Sequence, residues 1–148
     1  MENTEVEILL VEDNQNDAEL TIRALRKNNL VNRLVHLWDG AEALDFIFCK
    51  GEYEGRNINT KPKVILLDLK MPLVNGIDVI RALKADERTK TIPVVVLTSS
   101  KEDPDIRLCY EFGVNAYVVK PVGFENFSKA VSEVGLFWML LNEVPYKE

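Results

Sequence analysis

The chain has 148 residues, about the length of one ordinary domain, and is 47% apolar and 28% charged, a globular balance that excludes a disordered chain. Eighteen Lys and Arg against 24 Asp and Glu leave a net charge of −6, which argues against nucleic acid or an anionic membrane as the main partner, because both need a basic face. Cys49 and Cys109 lack metal-ligand spacing and read as reduced thiols. The acidic start, Met1 to Glu5, is unlike a signal peptide, and the apolar stretch Gly135 to Leu141 falls far short of the roughly 20 residues of a membrane span. A soluble cytoplasmic protein is expected.

Taken in order, the first element is a run rich in β-branched and apolar residues, Val6 to Val11, read as a strand. Ala18, Ile22 and Leu25 follow at helical spacing, and Asn16-x-x-Glu19 reads as the capping box of that helix. Arg33 to Trp38 is a weaker strand. The signal Asp39-x-x-Glu42 then opens a helix carrying Ala41, Leu44 and Phe48. A polar segment, Lys50 to Lys63, reads as one long loop. Val64 to Leu67 and Pro93 to Leu97 are apolar at every residue, the mark of strands covered on both faces and hence of a parallel sheet. Helices follow each, through Ile77, Ile80 and Leu83, then through Ile106, Cys109 and Tyr110 after the start signal Asp103-Pro104. A weak strand, Ala116 to Val119, precedes a long stripe from Phe124 to Leu141. The alternation is (βα) five times in one domain over residues 1–148, an α/β class with a doubly wound sheet.

In such a sheet, ligands bind beyond the carboxyl ends of the strands. Glu12 and Asp13, Asp68, Thr98 to Ser100, and Lys120-Pro121 stand at those ends. Each alone is an ordinary turn or cap residue, but turn chemistry gives no reason for acids, hydroxyls and a lysine to gather at one edge. Two carboxylates 4 Å apart cost roughly 4 kcal/mol at an effective dielectric of about 20. They therefore share protons or hold a cation. Hard oxygen donors without His or Cys suit Mg²⁺, and metal, lysine and a carboxylate nucleophile together suit a phosphoryl group.

Val11-Glu12-Asp13-Asn14, Leu67-Asp68-Leu69-Lys70-Met71-Pro72 with Gly76, Leu97-Thr98-Ser99, and Tyr117-Val118-Val119-Lys120-Pro121 together resemble the receiver domain of two-component response regulators, over about Val6 to Val134. The resemblance implies a flavodoxin-like fold with five parallel strands in order 2-1-3-4-5. It implies Asp68 as phosphoacceptor, and Asp13, Asp68 and the backbone carbonyl of Lys70 as Mg²⁺ ligands, with Glu12 acting through a metal-bound water. It also implies Lys120 as the phosphate-binding lysine, Thr98 and Tyr117 as the switch pair, and a sensor histidine kinase as phosphodonor. The protein would then be a signalling phosphoacceptor, an enzyme only toward itself. A cis Lys120–Pro121 peptide is expected to aim the lysine at the pocket.

The tail adds a second expectation. From Val134 to Leu141 the sequence is apolar on all sides apart from Gly135, and a helix of that kind is buried twice. Residues 136–148 read as a C-terminal extension, and Phe137, Trp138 and Leu141 as contacts of a homodimer. Little chain follows the fifth helix, so output is expected through protein–protein contact with an unknown downstream protein. The Asn16 to Thr21, Arg23 to Lys27 and Asp39 to Phe46 segments and the Phe137-Trp138 tail resemble stand-alone receivers partnered with phytochrome-type kinases, which implies a light-sensing kinase upstream. His36 reads as structural or surface-exposed. Two rivals remain: a pseudo-receiver scaffold independent of phosphorylation, and a haloacid-dehalogenase-type phosphatase. The latter wants an acid two residues after its nucleophile, where this chain has Lys70.

Overall fold

A computed structural model describes residues 8–27, 33–99, 103–120 and 124–136. Within them the chain alternates β1 (Ile8–Val11), α1 (Gln15–Lys27), β2 (Leu34–Leu37), α2 (Gly40–Ile47), β3 (Val64–Leu67), α3 (Gly76–Ala85), β4 (Val94–Thr98), α4 (Asp103–Glu111), β5 (Ala116–Val119) and α5 (Phe124–Leu136). All five strands are parallel and stand in the expected order, β2-β1-β3-β4-β5. The apolar runs are strands because helices cover both of their faces. Every residue of β1, β3 and β4 is buried. On one face Leu9, Val11, Ile65, Leu67, Val94 and Val96 pack against α2, α3 and Cys109 of α4. On the other, Ile8, Leu10, Val64, Leu66, Val95 and Leu97 pack against Ala18, Ala24 and Leu25 of α1 and Phe127 of α5.

The start of α1 lies two residues earlier than expected. The side chain of Asn14, not Asn16, accepts a hydrogen bond from the Asp17 amide at 2.9 Å, which makes Asn14 the cap. Both asparagines stand three residues before an acid, and the turn out of β1 selects the first. Asp39 caps α2 as expected, accepting from the Glu42 amide at 2.8 Å. The Glu42 carboxylate, however, reaches back to the amide of Trp38 rather than of Asp39. Such caps contribute about 1 kcal/mol each. At the other end of the sheet, α4 begins at Asp103 itself.

The long loop is more ordered than its composition suggests. Gly51–Tyr53 forms a 3-10 turn. Arg56 donates to the carbonyls of Phe46 and Thr60 and lies over the Phe46 ring, 3.7 Å from its centroid. No helix among the described residues is long and apolar enough to cross a membrane.

Candidate functional site

The chain leaves β1 in both directions across the sheet, to β2 on one side and to β3 on the other. That reversal opens a crevice at the carboxyl ends of β1 and β3. The two strands stay paired to the last residue, and the Asp68 amide donates to the Val11 carbonyl at 3.1 Å. Glu12 and Asp68 are thereby placed side by side. Their carboxylates and that of Asp13 each offer an oxygen within 4.8 Å of the others. Asp13 is exposed, whereas Glu12 and Asp68 are 2% and 7% exposed.

The loop after β3 is held hard against this crevice. Gly76 opens α3 under the backbone of Asp68: a Cβ there would stand 2.4 Å from the Asp68 carbonyl oxygen and 2.7 Å from the Leu69 Cα. Gly40 opens α2 against the Val74 carbonyl, where a Cβ would stand at 2.0 Å. A capping box between Asn75 and Asp78 fixes the entry to α3. Lys70 points outward and pairs with Asp105 of α4 at 3.3 Å.

Lys120 follows β5, and its amide donates to the Thr98 carbonyl at 2.8 Å. Its ammonium donates to Glu12 Oε1 at 2.8 Å and to Asp17 Oδ2 at 2.7 Å, and it stands 3.9 Å from Asp68 Oδ2. The lysine thus hydrogen-bonds Glu12 and Asp17 and stays within ion-pair distance of Asp68. Burial alone would lower the ammonium pKa, but the hydrogen bonds to Asp17 and Glu12 and the charges of Asp68 and Glu12 outweigh it and hold the group above its ordinary value.

Burial and the neighbouring Asp68 charge push the Glu12 carboxyl up to about 7, against the opposing pull of Lys120. Asp68 Oδ1 is buried and finds no hydrogen-bond donor among the described residues. A buried carboxylate oxygen without a partner is costly, and a small hard cation satisfies it. The orphaned oxygen, the all-oxygen donor set and the resisted ionisation of Glu12 fit a divalent metal.

Thr98 ends β4 and is fully buried. It shares the strand face of Val94 and Val96, and Tyr117, opposite Val96 in register, is half-buried against that same core. The two residues expected as a switch pair thus lie on one face of the sheet. One feature carried no signal in the sequence. Asp17 joins the pocket from α1, 103 residues away from Lys120. His36 of β2 donates through Nε2 to the Glu12 carbonyl at 2.9 Å and stacks beside Trp38. The expected cis Lys120–Pro121 bond and the contacts Phe137, Trp138 and Leu141 involve positions outside the described residues.

The profile of the response regulator receiver domain matches residues 8–132. The chain belongs to that family. As a response regulator receiver it works in phosphorelay signal transduction. It is 41% identical over 138 residues to the probable methanogenesis regulatory protein FilR2 of Methanothrix harundinacea, covering 93% of this chain and 86% of that one. It is 37% identical over 132 residues to the response regulator Rcp1 of Synechocystis, covering 89% and 88%. The Mn²⁺-bound form of Rcp1 superposes with a TM-score of 0.86 over 95% of this chain and 99% of that one, at 36% identity. The bacteriophytochrome response regulator AtBRR is 50% identical and superposes at a TM-score of 0.74, over 95% and 100% of the two chains. A divalent metal is a property of the receiver family, and the acid triad of this chain has the spacing to hold one.

Proposed function

We propose that this receiver accepts a phosphoryl group from a sensor histidine kinase onto Asp68, and that Mg²⁺ is the metal. The observation that carries the reading is the meeting of Glu12, Asp13 and Asp68 within 4.8 Å at the sheet's reversal point, with Lys120 beside them. Asp13, Asp68 and the Lys70 carbonyl would hold the ion, and Glu12 would hold one of its waters. Bound there, the ion supplies positive charge to the equatorial oxygens of the phosphoryl group. With the donor-free oxygen turned to the ion, Asp68 attacks phosphorus in line through its other carboxylate oxygen, the one 3.9 Å from the Lys120 ammonium. The phosphorus–nitrogen bond of the donor phosphohistidine breaks, a phosphorus–oxygen bond to Asp68 forms, and the imidazole departs with the electron pair. The closed strand ends fix the attacking group in place, and position is most of what this reaction needs.

The Thr98 hydroxyl then turns to the new phosphoryl oxygens and the Tyr117 ring moves inward along the same sheet face. A shift from 1:99 to 99:1 needs about 5.5 kcal/mol of differential binding, within reach of a few charge-assisted hydrogen bonds at roughly 1.5–3 kcal/mol each. The likeness to the bacteriophytochrome response regulator AtBRR supports a phytochrome-like kinase upstream, and output by protein–protein contact in the cytoplasm belongs to the same reading. A homodimer through residues 136–148 completes the reading. Light scattering on the parent and on Trp138→Asp tests it: a dimer that the substitution splits is expected, and a monomeric parent rejects it. The phosphodonor is tested by a transfer profile against candidate phosphohistidine kinases. Fast transfer from a phytochrome-type kinase, abolished by Asp68→Asn, is expected; transfer that survives the substitution rejects Asp68 as the acceptor.

A further inference from the structure

Asp17 has no place in the acid triad, yet it makes the shortest contact to Lys120. Its backbone is pinned at both ends. The Asp17 amide donates to the Asn14 side chain at 2.9 Å, and its carbonyl accepts from the Thr21 hydroxyl at 2.8 Å. The carboxylate therefore projects from a fixed point in the first turn of α1. Lys120 is pinned as well, through the hydrogen bond from its amide to Thr98. An ammonium has three N–H donors. Two are directed at Glu12 and Asp17, while the 3.9 Å separation from Asp68 is too long for a hydrogen bond.

The two bonded acids differ in what happens when the lysine leaves. Glu12 is sealed in the pocket and would be left buried. The Asp17 side chain is 33% exposed, so water replaces the lost ammonium there. Asp17 is thus the partner that Lys120 can give up. A phosphoryl group on Asp68 carries more charge and more acceptor oxygens than the carboxylate it replaces, and it draws on the same ammonium.

We propose that Asp17 is a positioning residue that holds Lys120 off Asp68 before phosphorylation and competes with the phosphoryl group for it afterwards. The proposal rests on Asp68 being the phosphoacceptor. Its consequence is that Asp17 weakens the phosphorylated state relative to the free one, so that removing its charge favours the former.

Beryllofluoride, a reversible phosphoryl mimic, makes this an equilibrium measurement. Its affinity in the presence of Mg²⁺ is compared by calorimetry for the full chain and for Asp17→Asn, Asp17→Ser, Asp17→Glu and Glu19→Gln. Asp17→Asn and Asp17→Ser are expected to bind about three- to five-fold more tightly, the size of a partly exposed ion pair. Asp17→Glu restores a carboxylate and should return to the parent value. Glu19→Gln removes a charge from the same helix, away from the lysine, and should change nothing. A residue that merely supports the fold would weaken binding when lost, so the sign separates the two roles. Equal or weaker binding by both neutral variants overturns the proposal, as does equal tightening by Glu19→Gln. A parent chain that binds no beryllofluoride removes the phosphoacceptor reading, and this proposal with it.

Discussion

Single residues in this protein are set by what water cannot reach. Glu12 and Asp68 are buried acids within one crevice, and the protein meets their charge with Lys120 and with donor geometry fit for a metal. Cys109 is a simpler case of the same physics. Burial, and then the charge of Asp105, push its thiol up to about 11. A group whose folded pKa is raised stabilises the fold fully below its unfolded value, near 9, and that contribution is lost as pH rises through about 11. Urea unfolding between pH 9 and 11 is therefore expected to show the parent losing more stability than Cys109→Ala; parallel pH profiles would contradict the assignment. The acids and the lysine of the site were legible in the sequence because each directly follows a strand. Asp17 was not, because its role depends on a partner 103 residues away.

Elements were legible where burial leaves a pattern. β3 and β4 are covered on both faces, and nothing but apolar residues can fill such positions, so their limits could be read almost to the residue. The cap of α1 could not be, because Asn14 and Asn16 offer the same local chemistry and only the exit from β1 decides between them. The Lys50–Lys63 segment looked featureless because Arg56 orders it through carbonyls and a ring outside any local motif. Glycine spacing is the signal that links element to site. At Gly76 a methyl group would strike the backbone that carries Asp68, whereas at Gly55 it would meet nothing within 4 Å. Gly76→Ala is expected to cost about 3 kcal/mol or more in urea unfolding and to impair phosphorylation, with Gly55→Ala close to neutral. A silent Gly76→Ala would show that the loop after β3 is not held as described.

At the scale of the whole molecule, the sheet order does the functional assembly. Strands 2-1-3 run outward from β1, so acids far apart in sequence arrive at one rim without any dedicated loop. The rim concentrates negative charge in a chain already at −6, and a divalent ion relieves it. Mg²⁺ at about 100 times its dissociation constant should stabilise the fold by about 2.7 kcal/mol. Thermal melts with and without EDTA check this, and a shift that persists undiminished in Asp68→Asn would place the ion elsewhere.

We propose that Asp68 takes up phosphate with the help of a metal. Intact-mass measurement after incubation with acetyl phosphate tests it without any partner kinase. One added phosphoryl group is expected in the parent with Mg²⁺, and none in EDTA or in Asp68→Asn. An adduct that forms without metal, or that persists in Asp68→Asn, would contradict the account.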